Sequence, residues 1–166
     1  ETTAINELMG LEGNCRSVYY SAFDTIINGE FTMNGRSKQP PQNEINALIS
    51  FGNMMCYTLC LDMIYHTQLN PTISFLHEPG TRRYSLALDL AEVFKPLLVD
   101  RVIFKLLNKR QLQTKHFQKD LNRCLLNETG KKIFIKAYEE RLKETIEHRQ
   151  LKKHVSYKRL VWLECH

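Results

Sequence analysis

Glycine and proline are scarce in this chain of 166 residues, seven and five respectively. No stretch alternates apolar and polar residues for long, so little in the sequence starts or stops a β-strand. The balance therefore falls to helix. A phosphate-binding glycine loop, a Gly-x-Ser-x-Gly elbow and the second histidine that a zinc-protease helix would need beside His77-Glu78 are all missing, which excludes those three chemistries. The cysteines, Cys15, Cys56, Cys60, Cys124 and Cys165, are odd in number and lack the paired spacing of a zinc site. They read as reduced thiols, and Cys56 and Cys60, four residues apart on an apolar helix face, read as core. No apolar run is expected to be long enough to span a bilayer, and the first residues lack the basic and apolar regions of a signal peptide. No membrane is expected among the partners.

What is present begins with 43% apolar residues, enough for a core in one domain of this length. The net charge of +5 conceals an asymmetry. Residues 1–108 hold 8 Lys and Arg against 11 Asp and Glu, a balance of −3, whereas residues 109–166 hold 15 against 7, a balance of +8. A basic block of this kind suits a polyanion, because each neutralised phosphate releases counterions. A solvated helix surface accounts for the same charges equally well.

Along the chain, residues 4–28 predict a helix with Leu8, Leu11, Cys15, Val18, Ala22 and Ile26 at steps of three and four. Gly10 and Gly13 interrupt it, and two such costly residues around Glu12 predict that something approaches closely there. Residues 29–42, "GEFTMNGRSKQPPQ", read as an exposed, flexible connector. A buried helix is expected over 43–68, capped by Asn43 and stopped by Asn70-Pro71. A third helix, 85–108, has Ser85 as its cap and Leu86, Leu90, Val93 and Leu97 as its apolar stripe, with a kink at Pro96 just below Glu92. Helices over 113–126, 129–148 and about 150–163 complete an all-α, bundle-like domain of about six helices covering 1–166, in which 109–166 form the basic closing part.

Asp89 and Glu92, at i and i+3, project side by side from one helix. Were Glu12 to converge on them, a cation would be needed, since like charges at about 4 Å repel by roughly 4 kcal/mol at an effective dielectric near 20. His77, in the preceding loop, reaches the same mouth. Carboxylates with one imidazole suit Mg2+ or Mn2+ and leave positions open for water and phosphate oxygens. Spacing alone leaves the plain readings open: two acids on a solvated face, and a histidine that caps or packs. His66 reads as packing or capping, and Tyr19, Tyr20 and Tyr57 as core aromatics.

At these residues the chain resembles the CRISPR-associated adaptation integrase family, specifically its helical C-terminal domain. "LMGLEGNCRSVYYSAF" looks like the family's first catalytic helix, and "NALISFGNMMCYTLC" with "LNPTISFLHE" is similar to its buried helix and histidine loop. "SLALDLAEVFKPLLVDRVIFKLLN" resembles its aspartate-x-x-acid helix, and "LNETGKKIFIKAYEERL" with "HRQLKKHVSYKRLVWLE" its basic closing helices. The resemblance implies metal ligands at Glu12, His77 and Glu92, a supporting acid at Asp89, and Arg82 and Arg83 as residues that steady a phosphate. It also implies that the family's N-terminal β-rich domain and part of its C-terminal tail are absent from these residues.

The implied reaction is transesterification on DNA, in which the 3′-hydroxyl of a short fragment attacks a phosphodiester at the edge of a CRISPR repeat. Nuclease activity is the same chemistry with another nucleophile. The implied partners are double-stranded and branched DNA, CRISPR repeat and spacer DNA and, in the full-length form, a second copy and the small second adaptation protein. The expected setting is prokaryotic cytoplasm. A non-catalytic helical DNA-binding fragment and a related transposon integrase are the alternatives.

Overall fold

The computed structural model describes residues 2–76 and 84–166, with side chains from Glu7 onward. Among the described residues seven α-helices dominate, in the order α1 (Thr2–Ser21), α2 (Phe23–Ile26), α3 (Glu44–Tyr65), α4 (Ser85–Lys95), α5 (Arg101–Asn108), α6 (Glu128–Lys143) and α7 (Tyr157–Leu163). Two antiparallel hairpins accompany them, β1 (Phe117–Asp120) with β2 (Arg123–Leu126), and β3 (Thr145–His148) with β4 (Lys153–Ser156). The all-helical class is thus confirmed. The chain forms two compact units, Glu1–Ser50 with Ile103–Lys131, and Phe51–Val102 with Lys132–His166.

In the first unit the connector after α2 is tied down by side chains. Asn43 caps α3 as expected, its Oδ1 accepting the Asn46 amide at 2.9 Å. Asn46 is fully buried. Its Nδ2 donates to the Gly35 carbonyl at 2.9 Å, and its Oδ1 accepts from the Ser37 amide at 3.0 Å and Arg36 Nη1 at 2.8 Å. A buried amide needs this many partners, because each group left unpaired costs about 1–3 kcal/mol. Phe31 and Met33 are buried, and Phe23 meets Phe104 edge-on at 4.8 Å.

The helix expected over 113–126 is instead a 3₁₀ turn, Thr114–His116, followed by the first hairpin, in register from Phe117↔Leu126 to Asp120↔Arg123. The reason is visible in β2, where Cys124 and Leu126 are buried and Arg123 and Leu125 exposed, a period of two rather than 3.6. Only a strand puts both apolar residues inward. The Cys124 amide then donates to the Pro41 carbonyl at 2.7 Å.

In the second unit α3 packs through small residues. A Cβ on Gly52 would lie 2.4 Å from Val99 Cγ1 and 2.9 Å from Phe134 Cζ, so only glycine admits the approach. Cys56 Sγ lies 3.9 Å from the Ala91 carbonyl. The buried face of α4 is accordingly Ala87, Ala91 and Phe94, continued by Leu98, and not the predicted stripe of Leu86, Leu90, Val93 and Leu97. Alanine is buried here because its size, more than its apolar area, lets α3 come close. Ser85 likewise does not cap α4. It is the first helical residue, and its hydroxyl donates to the Thr72 carbonyl at 2.8 Å.

Pro96 disturbs the helix as expected, in a particular form. Residues Pro96–Asp100 make a π-helical turn, after which α5 continues. The Leu97 carbonyl accepts from Arg141 Nε at 3.0 Å, a partner from α6. Two further boundaries are corrected. The helix expected over 129–148 ends at Lys143, and the one expected over 150–163 begins only at Tyr157, the second hairpin lying between. Ile146, read as inward-facing on a helix, is a half-exposed strand residue.

One sequence expectation about membranes is also overturned. α3 is 22 residues long and apolar enough, by length and composition, to cross a bilayer. Its most apolar window is 44% buried against the rest of the chain.

Candidate metal and DNA site

In the first unit Glu12 stands on α1 one turn before Arg16, and the two form an ion pair with each side chain about a third exposed. The i, i+4 spacing makes this the ordinary neighbour on a helix surface. Arg16 also lines a groove of about 500 Å³ with Gly13, Ser17, Tyr20, Arg36 and Lys38 among its walls. Added Cβ atoms on Gly10 and Gly13 would meet nothing within 4 Å. The close approach predicted from these two glycines is therefore not made by the described chain.

In the second unit Asp89 and Glu92 share α4. Asp89 Oδ2 accepts the backbone amides of Phe75 at 2.7 Å and Leu76 at 3.0 Å, fixing the segment that leads directly to residue 77. Glu92 is paired with Lys95, with side-chain exposures of 20% and 15%. Neighbouring backbone is held too, since the Tyr84 amide donates to Tyr57 Oη at 3.1 Å. His77, Arg82 and Arg83 lie outside the described residues.

Among the described residues no three His, Cys, Asp or Glu side chains gather into a group that could hold a metal. The donor chemistry of the expected set nevertheless fits a hard divalent ion. Glu12 and Glu92 are partly buried carboxylates, the oxygen donors such an ion takes, and each is paired with a cationic neighbour on its own helix that the ion would have to displace. Sequence reasoning passed over Arg16 and Lys95, although the spacings Glu12/Arg16 and Glu92/Lys95 would have revealed both pairs. The two backbone bonds of Asp89 left no trace in the sequence.

Other candidates resolve more simply. Cys56 and Cys60 are fully buried, as read. The hydrogen bond with the neighbouring Cys56, and then burial, push the Cys60 thiol far above its ordinary range. His66 is exposed and sits 3.7 Å from Asp62. Tyr19 is exposed rather than core, though it meets Phe23 edge-on at 5.7 Å. In the basic part, Lys119, Arg123, Lys131 and Arg141 pair with Glu44, Asp120, Glu128 and Glu144. Lys132, Lys136, Lys152, Lys153 and Lys158 are exposed.

Comparison with known proteins bears on the family and the fold. The sequence profile of the family described as CRISPR associated protein Cas1 matches residues 1–140. The chain is 55% identical over its full length to "CRISPR-associated endonuclease Cas1 3" of Thermodesulfovibrio yellowstonii, of which it covers 51%. Among solved structures, TM1797, a Cas1 protein from Thermotoga maritima, is 47% identical with a TM-score of 0.90, over 98% of this chain and 50% of that one. A casposase bound to integration product has the same fold, with a TM-score of 0.89 at 23% identity, over 96% of this chain and 45% of that one. The chain thus spans about half the length of the relatives it matches, and it belongs to the Cas1 family of CRISPR-associated proteins.

Proposed function

We propose that these residues form the catalytic helical part of a divalent-metal-dependent DNA integrase and nuclease of CRISPR adaptation. Glu12, His77 and Glu92 would hold Mg2+ or Mn2+. When bound, the ion supplies Lewis acidity at a phosphodiester and favours ionisation of an attacking hydroxyl. The chain's own residues hold the geometry. Asp89 fastens the backbone at Phe75 and Leu76, immediately before His77, to the helix that carries Glu92, and this is the observation that carries the reading. Fixing a ligand's stem to the element bearing another ligand lowers the ordering cost at the moment of binding.

Arg82 and Arg83 are assigned to a non-bridging phosphate oxygen, as guanidinium groups suit that planar contact. Arg36 and Lys38 in the groove beside Glu12, with the exposed lysines of the closing part, are assigned to the DNA backbone, which positions the substrate without reading its sequence. The substrates are then short free or branched DNA and the ends of a CRISPR repeat. A second copy and the small second adaptation protein serve as partners in a full-length form, and the setting is prokaryotic cytoplasm.

The test places this chain in the Thermodesulfovibrio relative, in place of the residues it matches, and measures strand joining and branched-DNA cleavage in Mg2+ or Mn2+. Glu12→Ala and Glu92→Ala are expected to lower both activities at least 100-fold while leaving DNA binding intact. Unchanged activity in either variant would remove the proposal. A second reading, a DNA-binding part without chemistry, is favoured by the balance of +8 over 109–166. It requires salt-sensitive binding that ignores EDTA and His77→Ala, with no metal-dependent product.

A further inference from the structure

Glu92 and Lys95 stand one turn apart on α4 and form an ion pair whose side chains are 20% and 15% exposed. Glu128 and Lys131 share the i, i+3 spacing on α6 but are 81% and 41% exposed, so spacing alone does not withdraw such a pair from water. Its surroundings do. Cys56 Sγ, on α3 of the same unit, lies 3.9 Å from the Ala91 carbonyl of α4. The Cys56 thiol, lowered in pKa first by its hydrogen bond with Cys60, is lowered by Lys95 as well and raised by Glu92. Both charges therefore lie close to the packed contact of α3 with α4.

An ion pair withdrawn from water behaves differently from a surface pair. Removing one member leaves the other desolvated and uncompensated, so each charge is given up only in exchange for another of the same sign. A carboxylate that releases an ammonium must receive a cation, and an ammonium that releases a carboxylate must receive an anion. The chemistry proposed for this chain brings one of each, a divalent ion to Glu92 and a phosphodiester to react. Lysine suits the exchange, being a compact charge on a flexible stem that meets phosphate as a point charge and needs no planar fit. The helix at this turn is also less constrained than a regular one, because Pro96 has no amide hydrogen for the Glu92 carbonyl and a π turn begins there.

We propose that Lys95 couples metal binding to DNA binding, an inference that rests on the function proposed above: its ammonium holds Glu92 until a divalent ion takes the carboxylate, and then turns to a phosphate oxygen of the substrate. Without DNA the displaced ammonium is left unpaired beside the incoming positive charge, so the ion binds weakly. With DNA the same ammonium meets an anion and the ion binds more tightly. By reciprocity the ion strengthens DNA binding by the same factor. Lys95 thus makes the ion and the substrate arrive together.

The test measures Mn2+ binding by electron paramagnetic resonance on this chain placed in the Thermodesulfovibrio relative in exchange for its matching residues. Titrations are run with and without a short phosphorothioate duplex, which resists cleavage, and Mn2+ held by the duplex itself is subtracted using Glu92→Ala. In the unsubstituted composite the duplex is expected to tighten Mn2+ binding about tenfold. Lys95→Met is expected to bind Mn2+ about tenfold more tightly without DNA and to lose most of the enhancement by the duplex, whereas Lys95→Arg keeps part of it. Where Lys95→Met fails to fold, Lys95→Gln, which leaves Glu92 a neutral donor, gives the same reading. A merely structural lysine would change stability and leave the effect of the duplex alone. Mn2+ binding that depends on Glu92 but shows the same enhancement in Lys95→Met or Lys95→Gln would therefore overturn this proposal while the proposed function stands. Identical Mn2+ isotherms for the unsubstituted and Glu92→Ala proteins would overturn both.

Discussion

Asp89 Oδ2 accepts the Phe75 backbone amide at 2.7 Å across fourteen residues of sequence. With the Leu76 amide at 3.0 Å on the same oxygen, one carboxylate anchors two consecutive peptide groups, and the next residue in the chain is His77. Charge-assisted bonds of this kind are the stronger class, roughly twice a neutral one.

If Asp89 acts through that anchor, Asp89→Ala should speed hydrogen exchange at Phe75 and Leu76 at least tenfold and weaken metal-dependent cleavage, whereas Asp89→Asn, which keeps an acceptor oxygen, should retain most of both. Equal loss of activity in the two variants with the amides still protected in Asn would show that the negative charge matters and the anchor does not.

Gly52→Ala should destabilise the protein by about 1–3 kcal/mol, since the new methyl would overlap Val99 and Phe134 in a packed interior. Denaturant unfolding checks this. Adding Val99→Ala should recover part of the loss, because Val99 Cγ1 is the nearer obstacle at 2.4 Å.

His116 gives stability a pH dependence of known sign. Burial, with the neighbouring Lys115 charge, lowers its pKa below the usual 6.5. Its Nδ1 accepts the Gln113 amide at 3.0 Å, which a proton there would prevent. Below pH 6.5 the unfolded chain takes up a proton that the folded chain resists, so this contribution is present above that pH and is lost as pH falls towards the folded value. Urea midpoints measured from pH 8 down to pH 5 should fall less steeply for His116→Gln than for the native chain.

Arg141→Met should cost about 1–2 kcal/mol by leaving the Leu97 carbonyl of the π turn without its side-chain donor. The guanidinium also lies 4.2 Å from the Tyr157 ring centroid, so Arg141→Lys should recover only part of the loss in a thermal melt.

The long helices were legible because their apolar periodicity runs for several turns, and Asn43 announced the start of α3 correctly. The hairpins were not, since β2 shows its period of two over only four residues, too few to tell from a helix in sequence, and Phe117–Asp120 has a single buried residue. The α4 stripe was read from its largest apolar residues, while packing against α3 selected Ala87 and Ala91 for their small size. At the candidate site the ion pairs of Glu12 and Glu92 were readable from spacing. The Asp89 anchor was not, because a bond from a side chain to distant backbone depends on no residue type at its far end.

The buried Asn46 amide has a consequence for how this protein tolerates changes of length. A surface connector usually absorbs inserted residues at little cost, each doubling of a flexible loop adding only about 0.6 kcal/mol. Here Gly35, Arg36 and Ser37 are stitched to the first turn of α3 through one amide, and Pro41 is held by Cys124. Inserted residues before Ser37 would pull several partners off a group that cannot be resolvated. Epitope tags or fluorophore loops placed there are therefore disfavoured, and engineered extensions belong at positions such as Leu121-Asn122, the fully solvated tip of the first hairpin.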